Sequence, residues 1–475
     1  MNDSEASDYD VIVIGGGGAG MSAAIEATKA GAHVALCEAG PRLGGSTALA
    51  GGLFYAANTP QQQALGVEDS AEAIYADVMA LNGETTKPEV VRRFAEEGPA
   101  TLAWLQSLGV EFPVDRLSSP DGRAAPRAHE PVGFGARIAE CLEAELHRGA
   151  VDVVLKTRIE HLLTTSDGSV VGVRTSEGDV RCRAVIIATG GYGGSPEWVR
   201  RMLPKARRVG DWVWHVGNAM NRGDGLSMGE EVGAGIQGED SALLLVTPGF
   251  YKDFEVIGPD WALMVNTRGE RFLREDGAYW ELAEGIEAES EPRAFYVFDR
   301  RLFEEAKPHP RVLEALAAGT ITVSYVPKVF EEQLKRGRVL EAPSVAALAA
   351  RIGVEAATLE RTIARYNELA GRGEDADFGK APASLKPISR APFYAIEVRP
   401  AILVVTGGGL PIDERTRVQS KSGKPIPGLF AAGETTGNVF GRYYVGSGYA
   451  IASTMTFGRI AGREAAAFAS RTAAA

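Results

Sequence analysis

Cysteine is scarce in this sequence, and what there is lies scattered: Cys37, Cys141 and Cys182 are the only three in 475 residues. Dispersed thiols of this kind cannot assemble an iron–sulfur cluster, and no CxxCH pattern offers covalent haem attachment. The chain therefore brings no metal or second redox centre of its own, and electrons reaching a bound cofactor must leave to an external acceptor. Basic clusters are missing as well. With a net charge of -12 and no run of Lys and Arg, nucleic acid and anionic membranes are not expected partners. No stretch approaches the roughly 18 apolar residues of a membrane helix, and the opening MNDSEASDYDVIVIG lacks the basic, apolar character of a signal peptide. A cytoplasmic location without a transmembrane segment is expected.

Glycine is abundant, 57 residues, in a chain that is 45% apolar, enough for a large core in two interleaved domains. The apolar run DVIVI at 10–14 predicts a strand buried on both faces. Gly15, Gly17 and Gly20 follow at once and open a helix, with Gly18 and Ala19 at its start. In this GxGxxG the first glycine permits a tight turn, the second admits a pyrophosphate, and the third lets helix approach strand. A second strand, AHVALCE, ends in Glu38 before Ala39, where an acid can bond the ribose of a dinucleotide.

FAD is favoured over NAD by a second glycine loop, GGSTALAGG, which supplies Gly44, Gly45, Ser46, Gly51 and Gly52. It holds no histidine, so non-covalent attachment is expected. Residues 184–191, AVIIATGG, predict another buried strand reaching the cofactor through Ala188, Thr189 and Gly190. In NRGDG, Asp224 is placed either to touch the flavin or to cap the following helix, capping being the expectation. LFAAGE brings Gly433 and Glu434 to the same end, and Ser447, Ala450 and Ile451 complete the expected contacts.

These blocks lie at both ends of the chain, so the FAD-binding domain is expected from 1–238 and 393–475, with 239–392 inserted. The insert lacks glycine motifs, contains a helical pattern at 345–371 and ends in GRGEDADFGKAPASLKPISRAP, which has the composition of a hinge. The expected fold class is α/β, a Rossmann-like domain of the glutathione-reductase type carrying an α+β capping and catalytic domain.

The order of these blocks resembles the fumarate reductase and succinate dehydrogenase flavoprotein superfamily. That resemblance implies histidines and arginines that hold a dicarboxylate, and an arginine that delivers a proton. Here Tyr279 stands near the position of the proton-donating arginine, in NTRGERFLREDGAYW. Val404 and Val405 precede Thr406 where a carboxylate-binding histidine is expected, Tyr444 falls near the second clamp arginine, and no histidine follows His309. A dicarboxylate in such a pocket would be desolvated without a partner. The replacements resemble 3-ketosteroid Δ1-dehydrogenase: GERFLREDGAYW is similar to its RFxNExxPY element and YVGSGYAIASTMTFG to its YPGPGATIGPAMTFG element.

That resemblance implies desaturation of the carbon–carbon bond beside a ketone. The Tyr444 hydroxyl and the Gly448 N–H would form an oxyanion hole, Tyr279 would take the alpha proton, and flavin N5 would accept the beta hydride. Arg271 and Arg274 are candidates to ease ionisation of Tyr279. Flavin-ring packing is the competing role for Tyr444. The chain is shorter than the steroid enzymes are expected to be, which suits a smaller cyclic ketone. The tyrosine that supports the base in those enzymes has no counterpart in 109–131, leaving Tyr55 or Tyr443 as substitutes. Phe54 and Tyr55 are candidate pocket walls, and Arg442 beside Tyr443 is either an exposed arginine or a holder of a substrate carboxylate, as 4-oxocyclohexanecarboxylate would need. Three functions follow: a cyclic-ketone desaturase using a quinone, an electron-transfer protein or oxygen as acceptor; an oxidoreductase of carboxylic acids like fumarate reductase or tricarballylate dehydrogenase; and a flavin-binding protein without turnover.

Overall fold

A computed structural model describes residues 7–119, 125–248, 260–305 and 327–474. His309 lies outside the described residues. The chain divides into two compact units, one of 1–204, 217–243 and 405–475 and the other of 205–216 and 244–404. Among the described residues no helix is long and apolar enough to cross a membrane.

The first unit is built on a parallel sheet. Its strands run in the order Val151–Val154, Val34–Cys37, Tyr9–Ile14, Gly178–Ile187 and Pro425–Ala431, with Arg417–Gln419 antiparallel at the edge. The two middle strands are β-branched and sealed on both faces; Val11, Val13, Val185 and Ile186 have no exposed surface. All the parallel strands point their C-terminal ends the same way, which is where an open α/β sheet binds its ligand. The helix Gly18–Lys29 leaves the first strand and lies along the C-terminal helix Tyr449–Ala473. Small residues allow that contact: a Cβ at Gly458 would come within 2.5 Å of the Ala19 carbonyl oxygen, and one at Gly462 within 2.2 Å of that of Ala23. Residues more than 400 positions apart thereby fix the N-terminus of the glycine-loop helix.

The second unit is α+β. Its long strand Phe393–Thr406 pairs antiparallel with Ala294–Asp299 on one side and Val339–Ala342 on the other, and Leu263–Val265 extends the sheet. Phe298, Phe330 and Tyr394 pack at ring separations of 5.2–5.8 Å in its core. The helix Ala356–Arg372 buries Leu359, Ile363, Tyr366 and Leu369, one face at helical spacing. Gly353, in the left-handed conformation, ends the preceding helix and splits the pattern at 345–371 in two.

The boundaries read from the sequence at 238 and 393 differ from those of the units. Residues 393–404 stay with the second unit because their ladder partners are its own strands, and 205–216 join it because Trp214 and His215 pair with Ile402 and Leu403. The segment 371–392, with the composition of a hinge, is fastened rather than free. Asp375 accepts both Arg271 and the N–H groups of residues 377, 378 and 380, while Lys380, Leu385 and Ile388 are buried.

Candidate active site

The first strand of the first unit delivers the chain into two stacked glycine loops. Gly15 has φ 107°, and a Cβ there would stand 2.3 Å from the Ala188 carbonyl oxygen. A Cβ on Gly20 would stand 1.8 Å from the Gly15 oxygen, so helix and strand touch only because both are glycine. The second loop pairs with the first: Gly44 N–H donates to Gly16 O at 2.9 Å, and Gly18 N–H donates to Thr47 Oγ1 at 3.2 Å. Glu38, immediately after the second strand, accepts the N–H groups of Gly16 and Gly40 at 2.7 and 2.6 Å. Its carboxylate retains further lone pairs toward the cleft.

Gly17 behaves differently. A Cβ on it would meet no protein atom within 4 Å. Nothing in the protein asks for a glycine there, whereas a pyrophosphate approaching the backbone and the helix N-terminus does.

A cleft of about 110 Å³ runs past these loops. Among the residues assigned from sequence, its walls include Gly15, Gly17, Gly18, Ala19, Glu38 and Ala39; then Gly45 and Ser46; then Ala188, Thr189, Gly190 and Asp224; and finally Gly433 and Glu434. Gly20 and Gly44 stand behind the walls as packing and pairing positions. Gly52, at φ 76°, packs on the start of the helix Phe134–Arg148 instead, and Gly51 is exposed. Ser447 lies just before the N-cap of the C-terminal helix and Ala450 and Ile451 lie in its first turn, rather than among the residues that line the cleft.

Several wall residues were not legible in the sequence. Thr157, Arg158 and Ile159 arrive from the loop after the outer parallel strand, Asn218 from the loop before NRGDG, Asn221 as the first residue of that motif, and Thr454 from the C-terminal helix. Ser46 Oγ accepts Asn218 N–H at 3.0 Å and Asn221 Nδ2 at 3.1 Å, and Asn221 also reaches Glu434 at 3.3 Å. Glu434 accepts both the N–H and the hydroxyl of Thr406 at 2.9 Å. Burial pushes the Glu434 carboxyl upward in pKa, while the Thr406 donors oppose the rise. Asp224 does not cap its helix. Gly223, at φ 80°, is the N-cap without a side-chain bond, and Asp224 instead pairs with Arg158 at 2.6 Å on the cleft wall. Burial raises the pKa of Asp224, and Arg158 works against it.

At the start of the C-terminal helix, the Tyr444 hydroxyl oxygen accepts Ala450 N–H at 3.1 Å. Tyr444 is 6% exposed and packs edge-on against Phe440. Gly448 is the helix N-cap, at φ 95°, and a Cβ there would lie 3.0 Å from the backbone of Leu53 and Tyr55. Tyr444 and Gly448 thus stand at one helix N-terminus, where the backbone carries partial positive charge.

The other sequence candidates are distributed unevenly. Phe54 is fully buried against Phe112, a core position that offers its backbone rather than its ring. Tyr55 is buried and accepts Arg127 at 3.0 Å, and Arg127 is itself held by Asp69 and Asp77. Arg442 is exposed, with its guanidinium 5.6 Å from the Tyr443 ring centre. In the second unit, half-buried Tyr279 is the first residue of the helix Tyr279–Ala288. Arg271 is fully engaged by Glu275 and Asp375 at 2.8 and 2.7 Å, and Arg274 faces Asp276 at 3.3 Å. Both arginines are thus engaged by carboxylates.

Residues 10–451 match the FAD-binding domain family. The chain belongs to that family, within the fumarate reductase and succinate dehydrogenase flavoproteins. This flavoprotein is 33% identical to a probable fumarate reductase of Shewanella frigidimarina, over 96% of its own length and 74% of the relative's. It is 28% identical to a 4-oxocyclohexanecarboxylate 2-dehydrogenase of Sinomonas cyclohexanicum, over 96% and 92% of the two chains. The solved structure of a 3-ketosteroid-Δ4-(5α)-dehydrogenase from Rhodococcus jostii is similar at a TM-score of 0.80 and 28% identity, covering 98% of this chain and 99% of that one.

The flavoprotein is an FAD-dependent oxidoreductase, and its cleft fits that cofactor on its own chemistry. Gly17 leaves room for the pyrophosphate, Glu38 faces the ribose position, and the Ser46, Asn221 and Glu434 network offers polar groups farther along. No histidine is among the cleft residues.

Proposed function

We propose that this flavoprotein is a dehydrogenase that introduces a carbon–carbon double bond beside the carbonyl of a cyclic ketone. The observation that carries this reading is the Tyr444 hydroxyl at the N-terminus of the C-terminal helix, next to the Gly448 N-cap. Loss of an alpha proton leaves negative charge on the ketone oxygen, and neutral donors at a helix N-terminus stabilise that charge without reorganising. With its oxygen accepting Ala450 N–H, the Tyr444 phenol is assigned the role of one donor through its O–H. Among the described residues Gly448 N–H has no acceptor, so it remains available as the second donor.

Bound FAD supplies the hydride acceptor. The alpha C–H bond breaks with its proton passing to the Tyr279 oxygen, the pair of electrons left behind forms the new double bond, and the beta hydrogen departs with its electrons. An external acceptor then reoxidises the cofactor: a quinone, an electron-transfer protein or oxygen. Tyr279 is assigned the base by its place in the motif GERFLREDGAYW.

Identity to the fumarate reductase of Shewanella frigidimarina favours a second reading, an oxidoreductase of carboxylic acids. Against it stand partly exposed Val404 and Val405 and the buried phenol of Tyr444 where cationic groups would hold carboxylates. A small ring carrying a carboxylate, such as 4-oxocyclohexanecarboxylate, would use exposed Arg442 for that group. The deciding experiment is anaerobic bleaching of the flavin absorbance by a 3-ketosteroid, a cyclohexanone, 4-oxocyclohexanecarboxylate and succinate, each added alone. Bleaching by a ketone and not by succinate upholds the ketone reading; bleaching by succinate alone replaces it with the second.

A further inference from the structure

The loop that carries Tyr444 is gripped by a segment more than 350 residues earlier in the chain. Helix Ala71–Asn82 ends in the turn Gly83–Thr85, and side chains of this turn reach the backbone of 438–443. Asn82 Nδ2 donates to Tyr443 O at 3.0 Å while Asn82 Oδ1 accepts Tyr443 N–H at 2.8 Å. Thr85 Oγ1 accepts Arg442 N–H at 3.1 Å and donates to the Asn82 carbonyl at 2.7 Å. Thr86 Oγ1 donates to Asn438 O at 2.7 Å. Gly441, at φ 81°, lies so close that a Cβ would stand 2.5 Å from Asn82 Cγ.

A single hydrogen bond would leave a loop free to swivel. The Asn82 amide, 5% exposed, instead bonds both backbone groups of Tyr443, as a neighbouring strand would do. That pairing fixes the peptide planes on either side of Tyr443, and with them the direction in which the next residue leaves the backbone. The next residue is Tyr444.

We propose that Asn82 is a positioning residue for the Tyr444 hydroxyl, with Thr85 and Thr86 completing the clasp. This inference rests on the reading of Tyr444 as the oxyanion donor. An oxyanion donor is effective only when held in place beforehand, and a misplacement of about 1 Å can cost on the order of a hundredfold in rate.

The test uses the FAD-loaded protein with Asn82→Ala, Tyr444→Phe and the double variant. Two measurements are made on each: the limiting rate of anaerobic flavin reduction by ketone, and deuterium uptake of the peptide spanning 439–448. Asn82→Ala is expected to slow the limiting rate on the order of tenfold to a hundredfold, with the ketone half-saturation little changed. In the Tyr444→Phe background it should cost nothing more. Asn82→Asp keeps the acceptor for Tyr443 N–H and loses the donor, so it should fall between wild type and Asn82→Ala. An unchanged rate, or a loss that multiplies with that of Tyr444→Phe, overturns the proposal. If no ketone reduces the wild-type flavin, the ketone reading fails and deuterium uptake decides the clasp alone. Faster uptake at 439–448 in Asn82→Ala at an unchanged melting temperature upholds it, and unchanged uptake overturns it.

Discussion

The hydroxyl oxygen of Tyr444 lies 3.1 Å from the backbone nitrogen of Ala450, in the first turn of the 25-residue helix that closes the first unit. A lone pair of the phenol is thereby occupied by a helix N–H, and the phenolic proton becomes the better donor. Replacing Tyr444 with Phe removes that donor while leaving the ring against Phe440. Ketone-dependent flavin reduction, followed by anaerobic stopped-flow absorbance, should fall by roughly 10²–10³-fold with the FAD content of the purified protein unchanged. Retention of the wild-type rate would remove Tyr444 from the chemistry.

Gly17 and Gly20 belong to one motif but answer to different neighbours. Gly20→Ala drives a methyl into the Gly15 carbonyl, 1.8 Å away, and should lower the yield of folded protein and its melting temperature. Gly17→Ala meets no protein atom, so it should fold normally and lose FAD. The ratio of flavin to protein absorbance, read beside the thermal midpoint of the apoprotein, separates the two; equal effects of both substitutions would contradict the assignment.

The buried cluster of Arg271, Glu275, Asp375 and Lys380 sets an acid limit on the second unit. Burial alone would raise the Asp375 carboxyl, but hydrogen bonds from Arg271 and the Lys380 N–H outweigh it and hold the pKa at about 2. A pKa depressed in the folded state contributes stability above the unfolded value near 4. That contribution is lost as pH falls from about 4 toward 2. Urea midpoints measured across this window should decline, and Asp375→Asn should flatten the decline while lowering stability at neutral pH. Arg271→Ala leaves two carboxylates buried beside Lys380 alone and should cost on the order of 3–5 kcal/mol.

Tyr279→Phe tests the base. The substitution should abolish turnover and leave bound FAD spectrally intact. Undiminished turnover in the variant would assign the base to another residue.

The cofactor loops were legible because their signal is local. Strand, glycine spacing and terminal acid all fall within residues 10–38, and the residues themselves dictate the turn. Asn218, Thr157 and Arg158 carry no such pattern. They reach the cleft because parallel strands end side by side, a relation among distant segments that spacing does not encode. Asp224 illustrates a competition decided by the backbone: an acid at a helix start suggests a cap, but Gly223 takes the left-handed N-cap and releases the carboxylate to Arg158. Phe54 looked like a pocket wall because aromatic residues near a glycine loop do so often, and packing against Phe112 decided otherwise.

The strand Pro425–Ala431 and the helix Tyr449–Ala473 complete a sheet and a helix pair whose other halves lie within residues 9–187. During synthesis the ribosome therefore releases the glycine loops long before their partners exist. The nascent chain carries the apolar strand Gly178–Ile187 with one edge unpaired until its final segment emerges, a state prone to association with other chains. Removing that segment should yield insoluble protein rather than a smaller flavoprotein, and supplying FAD during expression should help only once synthesis has finished.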